Sequence, residues 1–164
     1  KTIMKLPSHK FLLLILCTGF LTVFAASCGR TSSFAKINTE SDGLAIRGFD
    51  AVAYFAADGA AKGDPKYQFA WNGAKWLFAS AENLERFRQD PEAYAPQFGG
   101  YCSYAVSRGY TADGDPEAWK IVDGKLYLNY NKEVRSMWEK EQSANIEKGT
   151  TNWVGFDANP PVHK

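Results

Sequence analysis

Three cysteines and two histidines are all that this chain offers for nucleophilic or soft-metal chemistry. Cys17, Cys28 and His9 stand in the first 28 residues and His163 next to the last, so the body between them holds one thiol, Cys102, and no histidine. That set cannot assemble a Ser-His-Asp or Cys-His pair, and it excludes a histidine-based metal site in the body. Cys102 follows Gly99-Gly100 and is flanked by Tyr101 and Tyr104. A thiol at the start of a helix there would have a lowered pKa and could act as a nucleophile or redox group. It lacks a second cysteine at Cys-x-x-Cys spacing and an adjacent lysine, and a small buried side chain is the plainer reading. Tyr101, Tyr104, Tyr110, Tyr127 and Tyr130 could line a ligand cleft or belong to a core, since each ring carries an apolar face and a polar tip. Asp113 and Asp115, with Gly114 between them, offer oxygen ligands but lack the further carboxylates of a calcium loop, which favours capping or turn roles.

The first 27 residues read as an export signal. Lys1, Lys5 and Lys10 precede a 14-residue apolar run, Phe11–Phe24, followed by Ala25-Ala26-Ser27. With Met4 read as the initiator, that is a basic, then apolar, then small-residue pattern. The run is shorter than the ~18–20 residues that span a bilayer. Ala25-Ala26-Ser27-Cys28 is similar to a bacterial lipobox, so Cys28 is expected to be lipidated and to become the first mature residue, with residues 28–42 as a polar tether. The expected address is the periplasmic or cell-envelope face of a membrane, held by that anchor. Loss of three lysines from 19 basic residues, against 18 acidic ones, leaves a mature charge of −2. A chain so close to neutral gives no electrostatic case for nucleic acid. With one cysteine, the exported body has no internal disulfide framework.

The elements that must position these residues are short. Leu44–Phe55 predicts an opening strand, a turn at Gly48–Asp50, and a second strand or helical turn. Asn72-Gly73 between alternating runs predicts a two-residue hairpin turn, pairing Trp71 with Ala74, Phe69 with Trp76 and Tyr67 with Phe78 on one apolar face. Ser80 caps a helix over about Ala81–Gln89, with Leu84 and Phe87 packing back on the hairpin. Asp90-Pro91 opens a second short helix, and the near copy Asp115-Pro116-Glu117-Ala118-Trp119 reads as the same turn chemistry used again. Tyr101–Gly109 predicts a two-turn helix stopped by glycine. Asp123-Gly124 predicts a second hairpin that pairs Ile121 with Leu126 and Trp119 with Leu128. Asn131 caps a last helix to about Glu147 with Val134, Met137 and Trp138 buried, and Asn152–Lys164 is expected to run extended. The fold class is α+β: two short antiparallel hairpins packed with three to four short helices, one domain over residues 43–155 and a tail over 156–164.

Asp50-Ala51-Val52-Ala53, Leu77-Phe78-Ala79-Ser80-Ala81-Glu82-Asn83, Phe87, Pro91, Glu92 and Tyr94 together resemble the YHS domain family over about Leu44–Tyr94. In that family a strand bearing Asp-Pro-Val-Cys precedes a hairpin ending Tyr-Phe-Cys-Ser-x-x-Cys, followed by Phe and Pro-Glu-x-Tyr. Ala53, Ala79 and Asn83 therefore stand at the three cysteine positions. The run from Gly99 through Asn131 is similar to the C-terminal extension of exported YHS proteins. The resemblance implies metal handling, but alanine offers no lone pair and thiolates are what would hold zinc or copper.

The expected function is a non-catalytic exported binding module of unknown ligand, with Asp50, Tyr54, Tyr101, Cys102 and Tyr104 as candidate ligand-binding residues. Metal handling of the copper type, with Cys102 the sole candidate ligand, and a thiol-based redox protein are the alternatives. A purely structural interaction protein is a further one. The partners expected are the membrane through the lipid anchor and a small molecule or metal ion; no cofactor is identified.

Overall fold

The structure, a computed structural model, describes Thr2, residues 36–56 and residues 59–156. The leader, the expected tether up to residue 35 and the tail beyond Phe156 lie outside the described residues; the remainder of the expected tether is packed, with Ile37 buried and the Asn38 N–H donating to the Gly99 carbonyl at 2.8 Å. The rest is α+β, with two separate two-stranded antiparallel sheets and short helices.

The first hairpin is β1 (Asp64–Trp71) and β2 (Ala74–Phe78), turning at Asn72 and Gly73, both at positive φ as a two-residue turn of this type requires. Trp71 pairs with Ala74 and Phe69 with Trp76, as the alternation predicts. The expected Tyr67–Phe78 pair does not form. An irregularity between Asp64 and Gln68 shifts the register, so that Phe78 stands opposite Asp64. The second hairpin, β3 (Asp115–Val122) and β4 (Lys125–Asn129), has the expected Ile121–Leu126 and Trp119–Leu128 pairs.

Ser80 caps α1 (Ala81–Gln89) by accepting from the Asn83 N–H at 3.1 Å, and Asp90 caps α2 (Pro91–Tyr94) by accepting from the Ala93 N–H at 3.2 Å. Both follow from a short acceptor side chain meeting otherwise unpaired donors of a first helical turn. The DPEA echo departs from this. Asp115 also accepts from a nearby N–H, that of Glu117, but the chain then enters β3 and Ala118 is fully buried.

Further expectations are corrected. The opening strand expected from Leu44 does not form, and Ile46–Gly48 makes a 3₁₀ turn, while the helical turn expected after it is the 3₁₀ turn Ala53–Phe55; isolated bridges join the segment to the rest. The helix expected over Tyr101–Gly109 is shorter, α3 (Ser103–Ser107), because Tyr101 and Cys102 bridge to Asp113 and Leu128. The last helix is two: α4 (Lys132–Lys140) and α5 (Gln142–Gly155), with Glu141 at φ −128° between them. Asn152, expected in an extended tail, thus lies in α5, where its Nδ2 donates to the Val106 carbonyl at 2.8 Å. Trp138 is buried as predicted, whereas Met137 is 51% exposed.

Two aromatic clusters result. Trp76, Phe78, Phe87, Tyr54, Leu126 and Leu128 centre the first, under the first hairpin. Phe98, Val106, Tyr127, Trp138 and Phe156 make the second, beneath α3 to α5. Successive residues of a strand point to opposite faces, so β4 sends Leu126 and Leu128 into one cluster and Tyr127 into the other.

Candidate functional site

Asp50 lies in the turn between the two 3₁₀ segments and is fully buried. Its Oδ1 accepts from the N–H groups of Val52 at 2.8 Å and Ala53 at 3.2 Å. Its Oδ2 accepts from the N–H of Ala79 at 2.8 Å and from Asn83 Nδ2 at 2.6 Å. One carboxylate thus joins the 46–55 turns to the β2–α1 junction, and both of its oxygens are fully engaged.

Tyr54 stands nearby in the first cluster. Its hydroxyl donates to the Pro116 carbonyl at 2.9 Å and its ring meets Trp119 edge-on at 5.4 Å. Burial pushes its phenol far up, with the negative charges of Asp115, Asp50 and Glu117 adding to the shift.

Tyr101 and Tyr104 pack against the second cluster instead, and Cys102 is the residue that precedes α3. Cys102 is 1% exposed, and its thiol points at Asn129 Oδ1 at 3.9 Å. Burial pushes the thiol pKa up, and the N–H groups of Ala105, Tyr130 and Tyr104, which pull it down, do not overcome this. Asn129, fully buried, also accepts from the Tyr104 N–H at 3.2 Å. Tyr101 is half-buried, faces Trp153, and has its phenol raised by burial and then by Asp113. Tyr104 accepts from Arg108 at 3.0 Å, with the guanidinium over its ring. The five candidates therefore do not form one cleft: two belong to each side of the β4 wall's packing, and Cys102 is enclosed within it.

An open concavity lies elsewhere. A groove of about 450 Å³ runs between the tip of the first hairpin and the end of α5, lined by Trp71, Phe98, Trp153 and Val154 among its apolar groups. Lys36, Lys125 and Glu92 stand around it, and none of the three enters an ion pair among the described residues. Phe98 and Gly99 line it with left-handed backbones, φ 54° and 61°. At Gly99 a side chain would run into the Lys36 carbonyl, so only glycine lets the 36–38 segment pass. Sequence reading missed this groove because Trp71 and Trp153 are 82 positions apart; an exposed hairpin tip bearing an indole was the one available signal. Asp113 borders a separate recess of about 40 Å³ beside Glu40, whose carboxylate is already paired with Arg47 at 3.1 Å.

The YHS domain family matches residues 58–98. No curated protein and no solved structure matches the chain. The match takes in Ala79 and Asn83, and it begins after Asp50 and Ala53. A metal of the kind associated with this family does not fit the residues present. Ala53, Ala79 and Asn83 present nitrogen donors to Asp50, and the described residues contain no group of three His, Cys, Asp or Glu that could hold an ion.

Proposed function

We propose that this protein is a non-catalytic binding module built on a YHS scaffold, exported and held at the periplasmic or cell-envelope face of a membrane by a lipid on Cys28. Its ligand is a small molecule with a flat apolar face and an acidic group. The observation that carries this reading is the groove that Trp71 and Trp153 both line, together with Lys36 and Lys125. Its volume falls in the range of ~300–1,000 Å³ usual for small-molecule sites. Indole faces supply stacking area, and Lys36 and Lys125, which enter no ion pair among the described residues, supply the anion contact. A catalytic role draws no support from a body without histidine whose thiol is buried and raised.

A thermal-shift and tryptophan-fluorescence screen against aromatic and aliphatic carboxylates tests it. Binding should weaken at least about tenfold in Lys36→Glu combined with Lys125→Glu, charge reversals at the groove margin, and more in Trp153→Ala. Ligands that bind equally well to all of these variants, or no ligand at all, would sink the groove assignment. The anchor has its own test: metabolic labelling with a fatty-acid analogue should mark the chain and be lost in Cys28→Ser.

A further inference from the structure

The three positions at which the YHS resemblance places cysteines are the positions whose atoms meet on the Asp50 carboxylate. Ala53 reaches Oδ1 through its N–H, and Ala79 and Asn83 reach Oδ2 through an N–H and a side-chain amide. Val52 completes the set at Oδ1. We infer that this carboxylate by itself ties the Asp50–Phe55 turn to the β2–α1 junction, a task that a bound metal would share in a thiolate version of the scaffold, and that it makes the fold independent of metal. This inference does not depend on the groove.

A tetrahedral thiolate centre joins segments through ligands that converge on a cation. Here the converging groups are donors, and the centre is an anion. Four acceptances fill the two oxygens of a carboxylate, which is the condition under which a buried charge is tolerated and its hydrogen bonds are strong. The partners come from residues 52–53 and 79–83, so the tie spans about 30 positions of chain, as a metal clip would. Asn83 occupies the last of the three positions with a side chain long enough to reach the carboxylate at 2.6 Å, whereas Ala53 and Ala79 leave their backbone N–H groups to do so.

The purified full chain should melt at the same temperature in excess chelator and in excess zinc. A chelator-induced fall in Tm would overturn the inference. Asp50→Asn sets an amide NH₂ against two of the four donors in either orientation, and Tm should drop by roughly 10 °C or more. Should that variant fail to fold, Asn83→Ala, which removes one donor from a half-buried side chain, should still fold with a Tm lower by roughly 3 °C. Wild-type melting of both variants would remove the carboxylate's assigned role. Ala53→Cys, Ala79→Cys and Asn83→Cys combined should gain a thiolate-to-cobalt absorption on adding Co²⁺, and a Tm that now falls with chelator. A triple variant that takes up no cobalt would overturn the comparison with a thiolate centre.

Discussion

Cys102 and Tyr54 show how burial turns reactive side chains into structural ones. Both stand out by residue type, yet Tyr54 packs within the first cluster and Cys102 is 1% exposed, its thiol against Asn129. For Cys102 the consequence is kinetic: the thiolate is the reacting species, and a raised pKa with 1% exposure withholds it. The folded protein should therefore be alkylated by iodoacetamide at neutral pH at least about 100-fold more slowly than a free thiol, and denaturant should restore the ordinary rate. Rapid labelling without denaturant would reopen the redox reading. Tyr54→Phe keeps the ring against Trp119 and deletes the hydroxyl that meets Pro116. It leaves one buried carbonyl without that donor, so a loss of about 1–2 kcal/mol in urea unfolding is expected. At this scale the residues were legible as chemistry, but not their surroundings, because a sequence lists donors and acceptors without saying which of them meet.

The α4–α5 corner carries the same point at the scale of elements. Capping by Asn131, which accepts from the Val134 N–H at 2.8 Å, could be read from the sequence, since it depends on neighbours three positions apart. The break at Glu141 could not. It is held by Asn145, 1% exposed, whose Nδ2 donates to the Trp138 carbonyl at 3.0 Å while its Oδ1 accepts from Ser107 at 3.3 Å. Asn145→Ala should cost about 1–3 kcal/mol, checked by urea midpoint, because buried partners are left unpaired. A neighbouring position tests packing without hydrogen bonds. A Cβ added at Gly149 on α5 would stand 2.8 Å from Phe98 Cζ, so Gly149→Ala should lose about 1–3 kcal/mol although alanine favours helix. The DPEA pair makes a complementary case. One copy starts α2 and the other starts β3, where Pro116 gives its carbonyl to Tyr54 and Ala118 is enclosed. Identical local chemistry was overridden by what lay across the fold.

At the scale of the whole molecule, the two aromatic clusters share the β3–β4 hairpin as their common wall, so disturbing β4 should weaken both. Their buried titratable groups also set an alkaline limit. Cys102, Tyr54, Tyr101 and Tyr127 all have pKa values raised, with burial the first cause in each. A group raised in the folded state keeps its proton after the unfolded chain has released it. Stability is thus intact below the ordinary thiol and phenol values, 9.0 and 10.0, and is lost as pH rises through them towards the higher folded values. Tm should hold level from about pH 6 to pH 8 and then fall above roughly pH 9, with the fall reduced in Cys102→Ala. A flat profile to high pH would contradict the burial of these groups.

Residue type and order were enough for the α+β class, both hairpin turns, the caps on α1, α2 and α4, and the likeness to the YHS domain. These rest on contacts between residues a few positions apart, where residue type and spacing are nearly sufficient. Only the tertiary structure decided that Asp50, Ala53, Ala79 and Asn83 meet, that Cys102 is sealed behind Asn129, and that Trp71 and Trp153 border one groove. Each of these joins distant segments, and which ones meet is set by how the apolar faces pack together, a property of the whole chain and not of any stretch of it.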